Sequence, residues 1–300
     1  MFLPEAVTIR EVGPRDGLQA ESRPWPTEAK VELINGLLRT GVRRLEVTSF
    51  VRPGAIPQLA DAEAVLAAID RVEGVRLSAL VPNRTGMERA VRSGIHEASF
   101  FVAASEAFNQ HNLRRSTEAA LADAAAAAEL GREHGLLLSG FVVTAFGCPY
   151  EGRVPPDAVL RVVEAYARLG VQSVYLGDTI GVAHPRQVYE LARAVGDRFP
   201  ELELGLHFHN TRGAALANVL AGLEAGVTVF DGAVGGLGGC PYATGATGNV
   251  ATEDLVDMLE AMGVATGIDL DALLACARLA ERHAGRQLSS HVLRAGKRPA

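Results

Sequence analysis

Cysteine, aromatic residues and long apolar runs are all scarce in this 300-residue chain. Only Cys148, Cys240 and Cys276 occur, and no two of them form a CxxC pair. So odd and sparse a set excludes a disulfide framework and points to a reducing cytoplasm. It also removes most of the support for a thiolate zinc site. Aromatic residues are 5% of the chain against 48% hydrophobic residues overall. The core must therefore be built from Val, Leu, Ile and Ala, which suits helices packed on a buried parallel sheet better than a β-sandwich. No apolar stretch approaches the ~20 residues that a membrane span needs. The opening MFLPEAVTIR has no basic segment ahead of a long apolar run, so no signal peptide is expected. A cytoplasmic location without membrane contact follows. Basic runs are lacking too: the net charge is −6 and only the short stretch from Arg294 to Arg298 is basic, which disfavours a nucleic-acid partner.

What is present is a repeating unit, and no linker divides it. Eight apolar or β-branched runs, at 7–12, 44–50, 75–81, 97–103, 136–144, 172–177, 202–208 and 227–233, read as strands. Ala/Leu-rich helical patterns lie between them at 27–39, 60–70, 85–93, 116–133, 156–169, 185–198 and 213–225. Two more follow, an eighth helix at 252–263 and an added one at 268–285. Thr27 and Ser116 stand at helix starts, and Pro155 with Pro156 at a first turn. Gly41, Gly94, Gly131, Gly170 and Gly226 fall where left-handed helix ends are expected. Strands alternating with helices require parallel crossovers, and closing the sheet gives a (β/α)8 TIM barrel. The expected organisation is one barrel domain over 1–300 with a carboxy-terminal helical extension at about 268–290; an open doubly wound sheet is the alternative.

A barrel places its chemistry just past the carboxyl ends of its strands. Polar residues gather there: Arg15 and Asp16 after the first strand, Glu46 and Ser49 in the second, Asp178 after the sixth, and His207, His209 and Asn210 at the seventh. His207 and His209 at i and i+2 share one face, with Cα atoms roughly 6.6 Å apart, so both imidazoles can reach one ion. Phe208 then turns into the barrel–helix layer. Asp16 supplies an anionic third ligand, unless it merely forms the Asp-Gly turn of RDG. Two imidazoles, a carboxylate and an amide oxygen make a mixed N/O site that suits Mg²⁺ or Mn²⁺, although Zn²⁺ and Fe²⁺ accept the same donors. Arg15 suits anion stabilisation, and Glu46 could hold it by a charge-assisted hydrogen bond. The glycine-rich GGLGGCPYATGATGN at 235–249 lacks the lysine and Ser/Thr of a phosphate-binding loop. It reads instead as a lid that carries a thiol.

Six stretches carry a family resemblance: VGPRDGLQ (12–19), LEVTSF (45–50), PYEG (149–152), LGDTIGV (176–182), HFHNTRGAALAN (207–218) and GGLGGCPYATGATGN (235–249). Over about 7–275 the chain resembles the hydroxymethylglutaryl-CoA lyase family of metal-dependent acyl-CoA lyases and synthases. The resemblance implies retro-Claisen cleavage of hydroxymethylglutaryl-CoA, an acyl-CoA thioester, to acetyl-CoA and acetoacetate. It implies that Asp16, His207, His209 and Asn249 bind a divalent cation, Mg²⁺ or Mn²⁺. Arg15 would stabilise the enolate oxygen, Cys240 would be the catalytic cysteine, and Glu46 and Asp178 would be acidic residues of the active site. A homodimer or higher homo-oligomer is expected.

Two departures from the family pattern stand out. Asn-Thr-Arg-Gly follows His209 where better-known members carry Asp and then Tyr-Gly, so Arg212 adds a positive charge near the mouth. That leaves open citramalyl-CoA or a branched hydroxyglutaryl-CoA as the substrate. The end, GKRPA, carries no cysteine, so control through a tail thiol is not expected. A metal-dependent hydrolase of the amidohydrolase type is disfavoured, because its histidine pair sits on the first strand with further His and Lys downstream. A Claisen synthase is disfavoured because its extra carboxy-terminal domains would find no room. Cys276 reads as core and Cys148 as a structural residue lining the mouth. His111, His134, His184, His283 and His291 read as surface or capping groups, while Asn83 and Ser105, at strand ends, could touch substrate.

Overall fold

A computed structural model describes residues 3–239 and 248–298. Eight strands run β1 (Thr8–Glu11), β2 (Arg44–Ser49), β3 (Arg76–Leu80), β4 (Glu97–Ala103), β5 (Leu137–Val143), β6 (Ser173–Asp178), β7 (Glu203–Phe208) and β8 (Val229–Gly232). They pair in sequence order as a closed barrel. Closure comes from the parallel pairing of β1 with β8, with Arg10 opposite Asp231. The open-sheet alternative is thereby excluded.

Helices α1 (Thr27–Leu38), α2 (Ala62–Ala68) and α3 (Arg84–Ala90) follow the first three strands. Then come α4 (Glu106–Leu113), α5 (Thr117–Glu133), α6 (Pro156–Arg168), α7 (Pro185–Arg198), α8 (Ala215–Glu224) and α9 (Thr252–Ala261). Last are α10 (Leu270–Ala284) and the short α11 (His291–Ala295). No described helix is long and apolar enough to cross a membrane.

The caps work as local chemistry requires. Ser116 accepts a hydrogen bond from Ala119 N, and Pro156 occupies the first position of α6. Gly41, Gly94, Gly170 and Gly226 take positive φ. Gly131 does not. It lies inside α5, where an added Cβ would come within 3.0 Å of Leu138 Cδ2 and Met87 Cε, and the left-handed position falls to Gly135. Helix α4 departs from expectation as well. Its EAFNQHNL carries too few apolar residues to show a period, yet Ser105 caps it and Phe108 and Asn109 are buried. Asn83 likewise caps α3 by accepting from Gly86 N, so the side chains of Asn83 and Ser105 are both committed to helix starts.

Two apolar layers result. The larger lies between barrel and helices and includes Phe208, Cys148 and Cys276. A smaller one of Phe141, Tyr175 and Val229 lies apart from it, with Phe101 and Val143 packed against it. Two ion pairs link strands at their amino-terminal ends: Arg44 Nη2 donates to Glu203 at 2.8 Å, and Arg76 Nη1 to Glu97 at 3.3 Å.

Candidate metal centre at the barrel mouth

Past β1 the chain makes one wide helical turn, Gly13–Gly17, in which Asp16 N and Gly17 N both donate to Val12 O. Arg15 and Asp16 are thereby carried at the carboxyl end of the strand. Arg15 Nε donates to Glu46 Oε2 at 2.6 Å, and Arg15 Nη1 to Asp16 Oδ1 at 2.7 Å. The expected Arg15–Glu46 bond is therefore present. Gln19 Nε2 also donates to Asp16 Oδ1, at 2.9 Å. Burial by itself would raise the Asp16 carboxyl, but Arg15 and then the two histidines outweigh it and hold Asp16 well below the usual carboxylate range. For Arg15, burial works against the charged form, yet Glu46 and Asp16 keep it fully protonated.

His207 is the second-last residue of β7 and His209 lies one residue beyond its end. Residues 248–250 run back beside them: Val250 N donates to Phe208 O, Asn210 N donates to Gly248 O, and His209 bridges to Asn249. That return places Asn249 next to Asp16, to which its Nδ2 donates at 2.8 Å. A second bond, Asn249 Nδ2 to Leu237 O, fixes the amide. Gly238 permits the approach, since a Cβ there would lie 2.6 Å from Asn249 Nδ2.

Asp16, His207 and His209 offer ligand atoms that all lie within 4.8 Å of one another. His209 Nε2 is 3.9 Å from Asp16 Oδ2. That is too long for a hydrogen bond but within the span of two donors each about 2.1 Å from one ion. His209 Nδ1 and Asn249 Oδ1 are buried and find no hydrogen-bond partner among the described residues. A buried acceptor without a donor is costly, and a cation would satisfy an amide oxygen. Three carboxylates here, Asp16, Glu46 and Asp231, face the two guanidinium groups of Arg15 and Arg10. This excess of negative charge also suits a divalent ion.

Asp178, at the end of β6, has a different task. Its oxygens accept from Val182 N at 2.9 Å and Ala183 N at 3.1 Å, which shapes the segment leading to α7. Burial pushes its carboxyl up, and the two amides offset part of that. The positive charge of Arg212 is spent on the same segment: Nη1 donates to Ile180 O and Gly181 O. Of the eight expected site residues, Arg15, Asp16, Glu46, His207, His209 and Asn249 come together, and Asp178 lies beside them in the β6–β7 pairing, opposite Phe208. Cys240 lies outside the described residues.

Two residues of the site are missing from the sequence reading. Asp231 in β8 bonds His207, and Arg10 in β1 bonds Asp231. The available signal was charge inside strands placed within a barrel: Arg10 beside Glu11 in β1, and Asp231 in β8.

Comparison with known proteins places this mouth in a family context. A family model described as HMGL-like matches residues 6–280. The hydroxymethylglutaryl-CoA lyase of Bacillus subtilis is 48% identical over 297 residues, covering 99% of each chain. A 3-hydroxy-3-isohexenylglutaryl-CoA/hydroxymethylglutaryl-CoA lyase of Pseudomonas aeruginosa is 44% identical, with 91% of each chain covered. Among solved structures, an HMG-CoA lyase of Acinetobacter baumannii in complex with coenzyme A and 3-methylmalate superposes with a TM-score of 0.93. It is 42% identical, with 99% of this chain and 98% of that one covered.

Proposed function

The chain belongs to the HMGL-like family, and from that premise we propose that it is a divalent-metal-dependent carbon–carbon lyase that cleaves hydroxymethylglutaryl-CoA to acetyl-CoA and acetoacetate. The observation that carries this reading is the cluster of Asp16, His207 and His209, with Asn249 Oδ1 unsatisfied beside it and Arg15 bonded to Asp16. The coenzyme A held by the Acinetobacter relative supports an acyl-CoA substrate.

Asp16, His207, His209 and Asn249 would hold the ion, Mg²⁺ or Mn²⁺. When bound it supplies Lewis acidity that eases loss of the proton from the tertiary hydroxyl. The rest falls to side chains. Glu46 orients Arg15 through a 2.6 Å bond and leaves part of the guanidinium for the thioester oxygen, where the electrons of the broken C–C bond collect. A guanidinium fixed before the reaction stabilises that enolate without reorganising. The enolate carbon then takes a proton from the Cys240 thiol, the donor we assign, and the proton given up by the hydroxyl returns to the thiolate, so none is consumed overall. Asp178 keeps the loop between β6 and α7 in shape through Val182 N and Ala183 N.

The test is a panel of hydroxymethylglutaryl-, citramalyl- and isohexenylglutaryl-type CoA esters, incubated with the pure protein and Mn²⁺ while acetyl-CoA release is followed. Hydroxymethylglutaryl-CoA should be the best substrate. Turnover of citramalyl-CoA or of the longer branched ester in its place would reassign the acyl group. No cleavage of any ester by Mn²⁺-loaded protein would sink the lyase reading. Cys240→Ser should keep the metal and lose turnover; full activity would remove the thiol from the chemistry.

A further inference from the structure

Behind the metal cluster, inside the barrel, runs a chain of polar contacts that the lyase chemistry does not by itself require. Asp231 accepts two bonds from Arg10, Nε to Oδ1 at 2.9 Å and Nη2 to Oδ2 at 2.7 Å. The same Oδ2 lies 3.0 Å from His207 Nδ1. Arg10 and Asp231 are 1% and 2% exposed and His207 is 5% exposed, so water does not compete for these bonds. The Arg10 guanidinium lies 3.8 Å from the centre of the Tyr175 ring. Tyr175 in turn occupies space left by Gly205, where an added Cβ would sit 2.4 Å from the ring. On its other side His207 meets Phe141 edge to face, with ring centroids 5.1 Å apart.

We propose that Asp231, gripped by Arg10, is a positioning residue that fixes His207 in its Nδ1–H tautomer and sets the ring so that Nε2 is the nitrogen offered to the ion. The inference rests on the reading of His207 as a ligand. Its logic is that of donors and acceptors. An ionised carboxylate only accepts, so the hydrogen of the 3.0 Å contact belongs to His207 Nδ1. A neutral imidazole with Nδ1 protonated has its lone pair on Nε2, which is the form a metal takes.

Arg10 makes the arrangement stable. A lone buried carboxylate costs several kcal/mol of desolvation, whereas the two-pronged guanidinium holds both of its oxygens. Joining β1 to β8 does not call for the histidine contact, because the backbone register already sets Arg10 opposite Asp231. The third bond therefore serves the ligand. His209, by contrast, has no such partner at Nδ1 among the described residues, so the two imidazoles are held with unequal stiffness.

The experiment uses metal-free full-length protein labelled with [¹⁵N]histidine. Long-range ¹H–¹⁵N spectra read the protonation of each ring nitrogen, and the His207 signals are assigned by their loss in His207→Gln. Free Mn²⁺ is then titrated by electron paramagnetic resonance. Wild type should show His207 as Nδ1–H. Asp231→Leu, which removes the acceptor, should release that tautomer and weaken Mn²⁺ binding by about 10–100-fold. Asp231→Asn, which keeps an acceptor, should recover part of that loss. Arg10→Met should weaken binding in the same direction by a smaller factor.

His207 found as Nε2–H in the wild-type protein overturns the proposal, and that reading needs no variant to fold. A folded Asp231→Leu that binds Mn²⁺ as wild type does overturns it equally. If wild type takes up no Mn²⁺ at all, the functional reading fails, while the tautomer still decides what Asp231 does.

Discussion

Glu253 lies in the first turn of α9 with no exposed surface, and both its oxygens accept from Gly235 N, at 3.0 and 3.1 Å. Burial pushes its carboxyl from an ordinary 4.5 up to about 8, and the bonds from its own amide and Gly235 N offset only part of that. The unfolded chain gives up this proton near pH 4.5, whereas the folded one holds it to about pH 8. Glu253 therefore contributes stability that is complete below pH 4.5 and is lost as pH rises through 8. Each tenfold change in proton affinity is worth about 1.4 kcal/mol, so the whole swing is about 5 kcal/mol. Between pH 6 and 8 the share lost is about 2 kcal/mol, roughly 3–5 °C of melting temperature for a chain of this size. Glu253→Gln keeps an acceptor for Gly235 N and cannot ionise. Its second buried donor costs about 1–3 kcal/mol, but equally at every pH. Glu11, pushed up to about 7 by burial, titrates in both proteins and cancels from the difference. Parallel thermal melts should therefore show wild type losing roughly 3–5 °C more than Glu253→Gln from pH 6 to pH 8. Melting curves that fall together would refute the reasoning.

Other perturbations follow from the same geometry. Asp16→Ala and His209→Ala should each abolish Mn²⁺ uptake, read by equilibrium dialysis, and turnover with it; retained binding would remove that residue from the ligand set. Glu46→Gln takes the charged partner from Arg15 Nε and should lower kcat by about 10–100-fold while Mn²⁺ binding holds, since Glu46 bonds Arg15 rather than a ligand atom. Gly140→Ala sets a Cβ 2.4 Å from the Tyr166 ring in the fully buried β5–α6 contact. It should cost about 1–3 kcal/mol in chemical denaturation, without altering the products.

The barrel was legible because the strands lie in short runs rich in apolar or β-branched residues and nearly every helix has a cap or a glycine end. Arg15, Asp16, Glu46, His207 and His209 were legible because they crowd the ends of strands β1, β2 and β7, whereas Asn249, in the loop past β8, came only from the family resemblance. Helix α4 was hidden by its polar sequence, and α11 by its length, five residues held largely by Asp254 and Ser290. Gly131 looked like a helix end because sequence cannot tell a left-handed glycine from one that makes room for Met87 and Leu138. Arg10 and Asp231 sit 221 residues apart and meet only when the sheet closes. A charge within a strand reads as a surface position until closure turns it inward. Arg212 read as a positive charge near the mouth, and what the sequence did not show is that two carbonyls of the neighbouring loop hold its guanidinium.

The central claim is that hydroxymethylglutaryl-CoA is cleaved at a mouth whose ion is held by Asp16, His207, His209 and Asn249. Its most direct test is to strip the protein of metal, add Mn²⁺ in steps, and measure acetoacetate and acetyl-CoA released from hydroxymethylglutaryl-CoA. The account predicts both products in equal amounts, with activity rising from near zero and levelling off at one Mn²⁺ per chain. Cleavage that is as fast in stripped protein as in loaded protein, or acetyl-CoA released without acetoacetate, would contradict it.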